Sequence, residues 1–435
     1  MRVIVASDDS GSLKELVFNK GTNTSVQTAL QPFHTGVHLS QGLSNRIDKF
    51  YKLSETQLLL ARHNGAIELV SMKKSAKEVD EAKEPKYDVT EFEVKDIISG
   101  LFDQPVLDEL ISKSKKRSRM EDHFVELYPL KLAKKPLFLA ATKSGNLIIV
   151  EIDLKAAKIG KMASHKVKAP VEFVTHYDLE KTDNFILAYG GEENLVKLVE
   201  LSSDFKVISD VWAAKNVPFD SIGLRVPSWD VALRFLKSEK TGVFKFITIT
   251  KYAHYRKYST DVEDFRPLQS INMLPKGEQL CSCKIISNTS PLGNFKGTNF
   301  EELEFFAADN RRDVYHFNGK GRLLRKMGKG DITGYASHID VANEYLLQGG
   351  LDRYVRVFDL SDHTLLAKIF IGGKVSDVLL LEDGDLQLPL TEKELKKQKK
   401  KEAKRKILEA EESSQNEDIW SKLESKKRKV TRLDI

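Results

Sequence analysis

Gly319-Lys320-Gly321-Arg322-Leu323-Leu324-Arg325-Lys326-Met327-Gly328-Lys329-Gly330 brings together the glycines and cations from which phosphate-binding loops are made. A nucleotide-binding loop needs a hydroxyl residue directly after its Gly-Lys, and here Gly330 follows. The stretch therefore reads as a turn, a strand and a turn. Its second reading is a backbone-phosphate contact with RNA through Lys320, Arg322 and Lys329. Arg62-His63 and Arg311-Arg312 fall at hairpin turns, and His254-Tyr255-Arg256-Lys257-Tyr258 alternates cations with aromatics. Arg311, Arg312 and Arg353 are the partner contacts we single out, because turns on a rigid frame carry function and adjacent repeats would set the three on one rim. Against this stands the ordinary use of such residues as solvated charge whose stems cover apolar neighbours.

Catalytic signatures are missing: there is no Gly-x-Ser-x-Gly elbow, no His-Glu-x-x-His and no complete phosphate loop. The chain reads as a non-enzyme with no catalytic residue, cofactor or metal. Cys281 and Cys283 lie too close together for a disulfide framework and lack the second pair of a structural zinc site, which favours a reducing compartment. The opening apolar run Val3-Ile4-Val5-Ala6 ends at Asp8 and Asp9, too short for a signal peptide, and no stretch approaches a membrane span, so no membrane partner is expected.

Charge is unevenly spread. Of 69 Lys+Arg and 63 Asp+Glu, the segment 390–435 holds 15 and 10, leaving a nearly neutral body and a basic tail. Lys426-Lys427-Arg428-Lys429 is a compact cluster of the kind read by a nuclear import receptor. Lys396, Lys397, Lys399, Lys400, Lys401, Lys404, Arg405 and Lys406 supply a second run. With few apolar residues, this tail is expected to be disordered, or helical only when bound. The same cations suit RNA phosphates, and Trp420 and Leu423, three apart, suit a short partner-binding helix. The expected location is the nucleus.

The elements that must carry these residues repeat. A short apolar strand, a turn rich in Gly, Asp or Asn, and an alternating second strand recur seven times, starting near residues 3, 58, 138, 185, 244, 305 and 345. That spacing is close to, or above, the roughly 40–45 residues of a WD-repeat blade. The clearest unit is Gly349-Gly350-Leu351-Asp352-Arg353-Tyr354-Val355-Arg356-Val357-Phe358-Asp359, with Phe-Asp in place of Trp-Asp. Paired glycines suit the tight backbone before the turn, and Asp352 suits hydrogen bonding to the turn amides.

The predicted fold is all-β, a seven-bladed WD-repeat propeller over 1–383 followed by a basic tail over 384–435. A charged insertion occupies about 73–122. Because a ring leaves no blade unpaired, Val375 to Leu381 is predicted to close blade one beside the N-terminal strand, so that the two ends share a blade.

Three passages resemble a known family: Gly350-Leu351-Asp352-Arg353-Tyr354-Val355-Arg356; Thr250 through Tyr258 with Arg266-Pro267 following; and Glu417-Asp418-Ile419-Trp420-Ser421-Lys422-Leu423-Glu424 ahead of Lys426 to Lys429. They are similar to the nucleolar WD-repeat proteins of large-subunit ribosome assembly, the Nop-seven-associated proteins of yeast and their WD-repeat counterpart in animals. The resemblance covers essentially the whole chain. It implies a scaffold in the nucleolus, bound to pre-60S particles with other large-subunit assembly factors and large-subunit rRNA, and released by an AAA ATPase.

Two other functions compete. A WD-repeat adaptor of a ubiquitin ligase typically has a basic residue two places after the Asp of Trp-Asp, where Asp359-Leu360-Ser361 has Ser. A chromatin reader requires an acidic or aromatic cage at the central channel, a surface that the sequence does not locate.

Overall fold

In the strand Arg2–Ser7, Val3 and Val5 point to one side, Ile4 and Ala6 to the other, and all four are fully buried. A strand apolar on both faces needs a covering layer on each. The computed structural model describes residues 1–77, 85–114, 120–131, 136–180, 182–275, 277–287, 297–328 and 330–388. They form seven four-stranded antiparallel sheets, the blades of a β-propeller, and each blade covers its neighbour. Among the described residues, seven apolar clusters occupy the seven seams. Ile4, Ala6 and Leu13 of blade 1 meet Ile47, Leu58 and Leu60 of blade 2, while Val3, Val5 and Leu16 meet Leu347, Val355 and Val357 of blade 7. The seven hairpins read from the sequence are the second and third strands of the seven blades.

The ends meet in blade 1. Val375–Glu382 is its innermost strand and runs antiparallel to Arg2–Ser7, with Val378 opposite Val5 and Leu380 opposite Val3. A second stitch joins blades 1 and 7: the segment after Ser12–Val17 lies along the outermost strand of blade 7, Leu365–Phe370, where Thr24 N–H donates to the Lys368 carbonyl and Lys368 N–H to the Thr22 carbonyl.

The segment 73–122 departs from the expected insertion. Lys73 to Ala76 end the strand Ala66–Ala76, and Asp88–Ile98 is the outermost strand of blade 2, paired with it over ten residues. Its charge density comes from being an edge: Glu91, Glu93 and Lys95 face solvent while Phe92 and Val94 turn inward. The helix Gln104–Ser114 follows, with Leu107 buried.

The chain divides into two units, the ring of Met1–Ala76 with Tyr87–Asp385, and a second of Lys77–Lys86 with Leu386–Ile435. Most of the second lies outside the described residues, including the lysine runs at 396–406 and 426–429 and the pair Trp420 and Leu423. Among the described residues, no helix is long and apolar enough to cross a membrane.

Candidate functional site

Every blade runs antiparallel from its innermost to its outermost strand, so the turns between second and third strands share one face of the ring with the connections between blades. On this turn face Asp8 N–H reaches the Lys374 carbonyl of the connection into blade 1, and Lys251 N–H reaches the Trp229 carbonyl of the connection into blade 5. Arg311 and Arg312 lie in the turn of blade 6, between Leu303–Asp309 and Val314–Asn318. Arg353 lies in the turn of blade 7, between Tyr345–Gly350 and Tyr354–Asp359. Adjacent blades therefore carry all three on one face.

Each turn is held by its own aspartate. Asp309 Oδ1 accepts the backbone N–H groups of Arg311, Arg312 and Asp313, each at 2.9 Å, which leaves both arginine side chains directed outward and exposed. Arg353 adopts a left-handed backbone, φ 67°, and is also exposed. None of the three guanidinium groups has an ion-pair partner among the described residues, so their charge is available to an anionic partner. The paired glycines before Arg353 are required for space. They lie within the strand, where a side chain on Gly349 would strike Val375 of the closing strand and one on Gly350 would strike Asp352.

Lys320 and Arg322 occupy the turn between the third and fourth strands of blade 6, hence the opposite face. Gly321, φ 72°, opens that turn, and Leu323–Met327 is the strand that follows it. Lys320 is paired to Glu301 at 2.9 Å and holds the Glu301 carboxyl below its ordinary range, whereas Arg322 is exposed. The structure thus brings Arg311, Arg312 and Arg353 together and sets Lys320 and Arg322 apart from them.

Two further arginines from the sequence reading are interior. Arg62 is fully buried, paired to Glu68 at 2.8 Å and donating to the carbonyls of Gly11, Asn45 and Leu39. It ties blade 2 to the turn of blade 1. Arg256, in the aromatic-basic run of blade 5, is also fully buried, with Tyr255 and Tyr258 beside it. Alternation places residues of one strand on opposite faces, but both faces of a propeller's inner strands are covered, so the cations of such a run do not automatically reach solvent.

The channel along the ring axis is lined by innermost strands. One cavity of about 340 Å³ is bounded by Lys49, Glu126, Lys284, His338, Asp340 and Asp377, among others. Lys284 is paired to Asp340 at 2.5 Å, and His338 Nε2 lies 3.1 Å from an Asp377 carboxylate oxygen. Burial pushes the Glu126 carboxyl up, offset in part by Lys49, and pushes the His338 imidazole down. Burial alone would lower Lys284, but Asp340, Glu126 and Asp377 together outweigh it and the ammonium is raised. At the turn-face mouth a second cavity of about 330 Å³ includes Asp8, paired to Lys374 at 2.7 Å, and Glu172, paired to Lys143 at 2.9 Å. Asp340, Asp8 and Glu172 are each matched by a lysine of the same chain.

Cys281 and Cys283 are free; Cys281 is exposed but its thiol is turned onto the carbonyls of Ala308, Asp309 and Ala336, and loss of hydration at the sulfur pushes both thiols up, Cys281 to about 12.

The turn face also holds residues that sequence reasoning missed. The connection from blade 4 to blade 5 exposes Phe219, Ile222 and Leu224 at 70%, 75% and 60%. Sequence alone does not separate an exposed apolar turn from a buried one; the signal present was Gly223 between two large apolar residues.

No protein-family model matches the chain. It is 72% identical over 436 residues, covering 100% of both chains, to "Ribosome biogenesis protein NSA1" of Kluyveromyces lactis. The protein of the same name from Saccharomyces cerevisiae is 42% identical over 457 residues, covering 98% of this chain and 97% of that one. Among solved structures the chain is similar to Saccharomyces cerevisiae Sqt1, TM-score 0.44 at 8% identity, covering 76% of this chain and 79% of that one. It is also similar to the C-terminal WD40 domain of Sif2, TM-score 0.42 at 12% identity, covering 75% and 73%.

Proposed function

This chain belongs to the NSA1 family of ribosome biogenesis proteins, and from that membership we propose that it is a non-catalytic scaffold for the large (60S) ribosomal subunit. It binds nucleolar pre-60S particles beside other assembly factors and large-subunit rRNA, and an AAA ATPase releases it as the particle matures. The observation that carries this reading is similarity along the whole chain, ring and tail alike, to proteins named for ribosome biogenesis. The geometry agrees with it: Arg311, Arg312 and Arg353 offer three guanidinium groups on one face that have no ion-pair partner among the described residues, the chemistry that meets phosphate. Lys320 and Arg322 form a lesser candidate contact on the opposite face.

The tail completes the reading. Lys396 to Lys406 and Lys426 to Lys429 engage a nuclear import receptor, and Trp420 with Leu423 docks on a partner. Removing 396–430 should reduce nuclear accumulation and leave the ring folded, because the ring closes at Val375–Glu382. Loss of cooperative melting in that truncation would show the boundary to be wrong.

No observation favours the ligase-adaptor reading. Ser361, where such adaptors carry a cation, is bonded back to Asp359. The deciding experiment is affinity purification of the tagged protein with and without RNase, followed by gradient sedimentation and mass spectrometry. Co-migration with large-subunit precursors is the expected result; migration as a free protein, or with ligase or chromatin subunits alone, rejects the scaffold reading.

A further inference from the structure

We propose that the connection between blades 4 and 5 is a preformed docking knob, whose Phe219, Ile222 and Leu224 insert into an apolar groove with an acidic rim on a folded protein partner. The proposal deepens the scaffold reading and rests on it for the particle in which the partner is met.

Three large apolar side chains at 60–75% exposure within six residues are too many for chance surface exposure, because each leaves apolar area in water that burial would recover. The loop does not collapse to hide them, since its backbone is fixed from within. Asp220 N–H donates to the Leu224 carbonyl at 2.9 Å. Asp220 Oδ1 accepts the N–H groups of Ile222 at 3.1 Å and Leu224 at 2.8 Å. Gly223 takes the left-handed backbone, φ 78°, that closes so short a turn.

The base of the loop is fastened to the ring. Asn216 Nδ2 donates to the Val226 carbonyl at 2.6 Å, Arg225 is paired to Glu193 in the turn of blade 4 at 2.9 Å, and Glu193 N–H donates to the Ser228 carbonyl at 2.8 Å. A knob held in one shape before contact forfeits little entropy on binding.

Charge names the rim of the partner. Lys215 begins the loop, exposed, with its ammonium over the Phe265 ring at 5.1 Å. Lys251 stands over the Trp229 ring at 3.7 Å where the loop returns. Lys168, exposed, is held beside the turn of blade 4 by Asn194, whose Nδ2 donates to its carbonyl at 2.6 Å. Of the acids of the loop and its anchor, Glu193 is paired to Arg225, while Asp220, held by its own amides, and Glu192 keep their charge and are outnumbered by the three lysines. The knob therefore rises from a basic surround, complementary to carboxylates. Of the three, Phe219 alone offers a ring on which a base could stack, and aliphatic Ile222 and Leu224 offer none, so a protein fits better than RNA.

The test places a photo-crosslinking amino acid at Ile222 of the full chain in cells, with Leu324 on the outermost strand of blade 6 as the control position. The cross-link is expected to map to apolar residues of one protein, flanked by Asp or Glu, and to be absent from position 324. Lys168→Glu with Lys215→Glu should lower its yield about tenfold, the loss of roughly 1.4 kcal/mol of attraction. Cross-links to RNA alone, to a basic surface, to this chain or a second copy of it, or to nothing, overturn the proposal. Sedimentation of the same lysate reads the particle separately. If the protein leaves the large-subunit precursors while the cross-link persists, the scaffold reading fails and the knob stands.

Discussion

Blades 5 and 7 bury an arginine at the same place in the third strand and neutralise it by different means. Arg356 lies opposite Gln348, and Arg256 lies opposite Thr248. In blade 7 the carboxylate comes from the adjoining turn: Asp352 is bonded to Arg356 at 2.5 Å, with Gln348 Oε1 at 3.0 Å and the Asp331 carbonyl at 2.7 Å completing the cage. In blade 5 the turn offers Tyr252 at the corresponding position, and Asp230, at the start of the innermost strand, faces Arg256 instead. No carboxylate lies within ion-pair distance of Arg256 among the described residues. A charge cage made within four residues is tight; one assembled from across the sheet is loose.

The carboxyl groups record the difference. Burial alone would raise Asp352, but the hydrogen bonds and charge of Arg356, with two hydrogen bonds from Thr333, outweigh it and hold the group below its ordinary 3.8. For Asp230 burial wins over the more distant Arg256, and the group is raised above 3.8.

The largest expected effect is Asp352→Ala, which strands Arg356 as an uncompensated interior cation that cannot shed its proton; the cost should be about 3–5 kcal/mol, measured by urea unfolding. Asp230→Ala should cost less, about 1–3 kcal/mol, since it removes a weaker attraction and the Ser228 hydrogen bond. An equal or larger cost in blade 5 would break the comparison.

Acid sharpens it further, because the signs are opposed. Asp352 contributes stability that is present above 3.8 and lost as pH falls through its lower folded value. Asp230 carries a penalty at higher pH that disappears as pH falls through its raised folded value toward 3.8. The melting advantage of the wild type over Asp230→Asn should therefore grow on acidification toward 3.8, while its advantage over Asp352→Asn should shrink below 3.8. Parallel slopes would mean that the two cages are electrostatically alike. Smallest in stability is Arg353→Ala beside the tight cage, within about 0.5 kcal/mol because the side chain is exposed. If Arg353 meets an rRNA phosphate, the variant should also lower the slope of log affinity against log salt by about one; an unchanged slope would remove Arg353 from the contact surface.

The same contrast explains what was legible. Asp352 and Arg356 are four residues apart in the clearest repeat, so both the hairpin and its chemistry stand out in sequence; Asp230 and Arg256 are brought together by strand pairing, which no local pattern reveals. The hairpins were visible because both faces of their strands are covered, giving dense apolar runs. Asp88–Ile98 was hidden because an outermost strand pairs along one edge only and fills its open side with Glu91, Glu93 and Lys95. Arg311, Arg312 and Arg353 were legible as turn residues, and their common face follows once the blades are counted. The fates of Arg62 and Arg256 were not legible, since a guanidinium in a turn and one in a seam have the same letter.

The pairing of Arg2–Ser7 with Val375–Glu382 has a consequence in time. Ser376 and Ala6, joined by a hydrogen bond in the finished ring, are separated by 370 residues of synthesis. At roughly 5–20 residues per second the first hairpin waits for tens of seconds with a bare strand edge before its partner is made. A bare edge is the surface on which chains misassociate. A slower ribosome lengthens that wait in direct proportion.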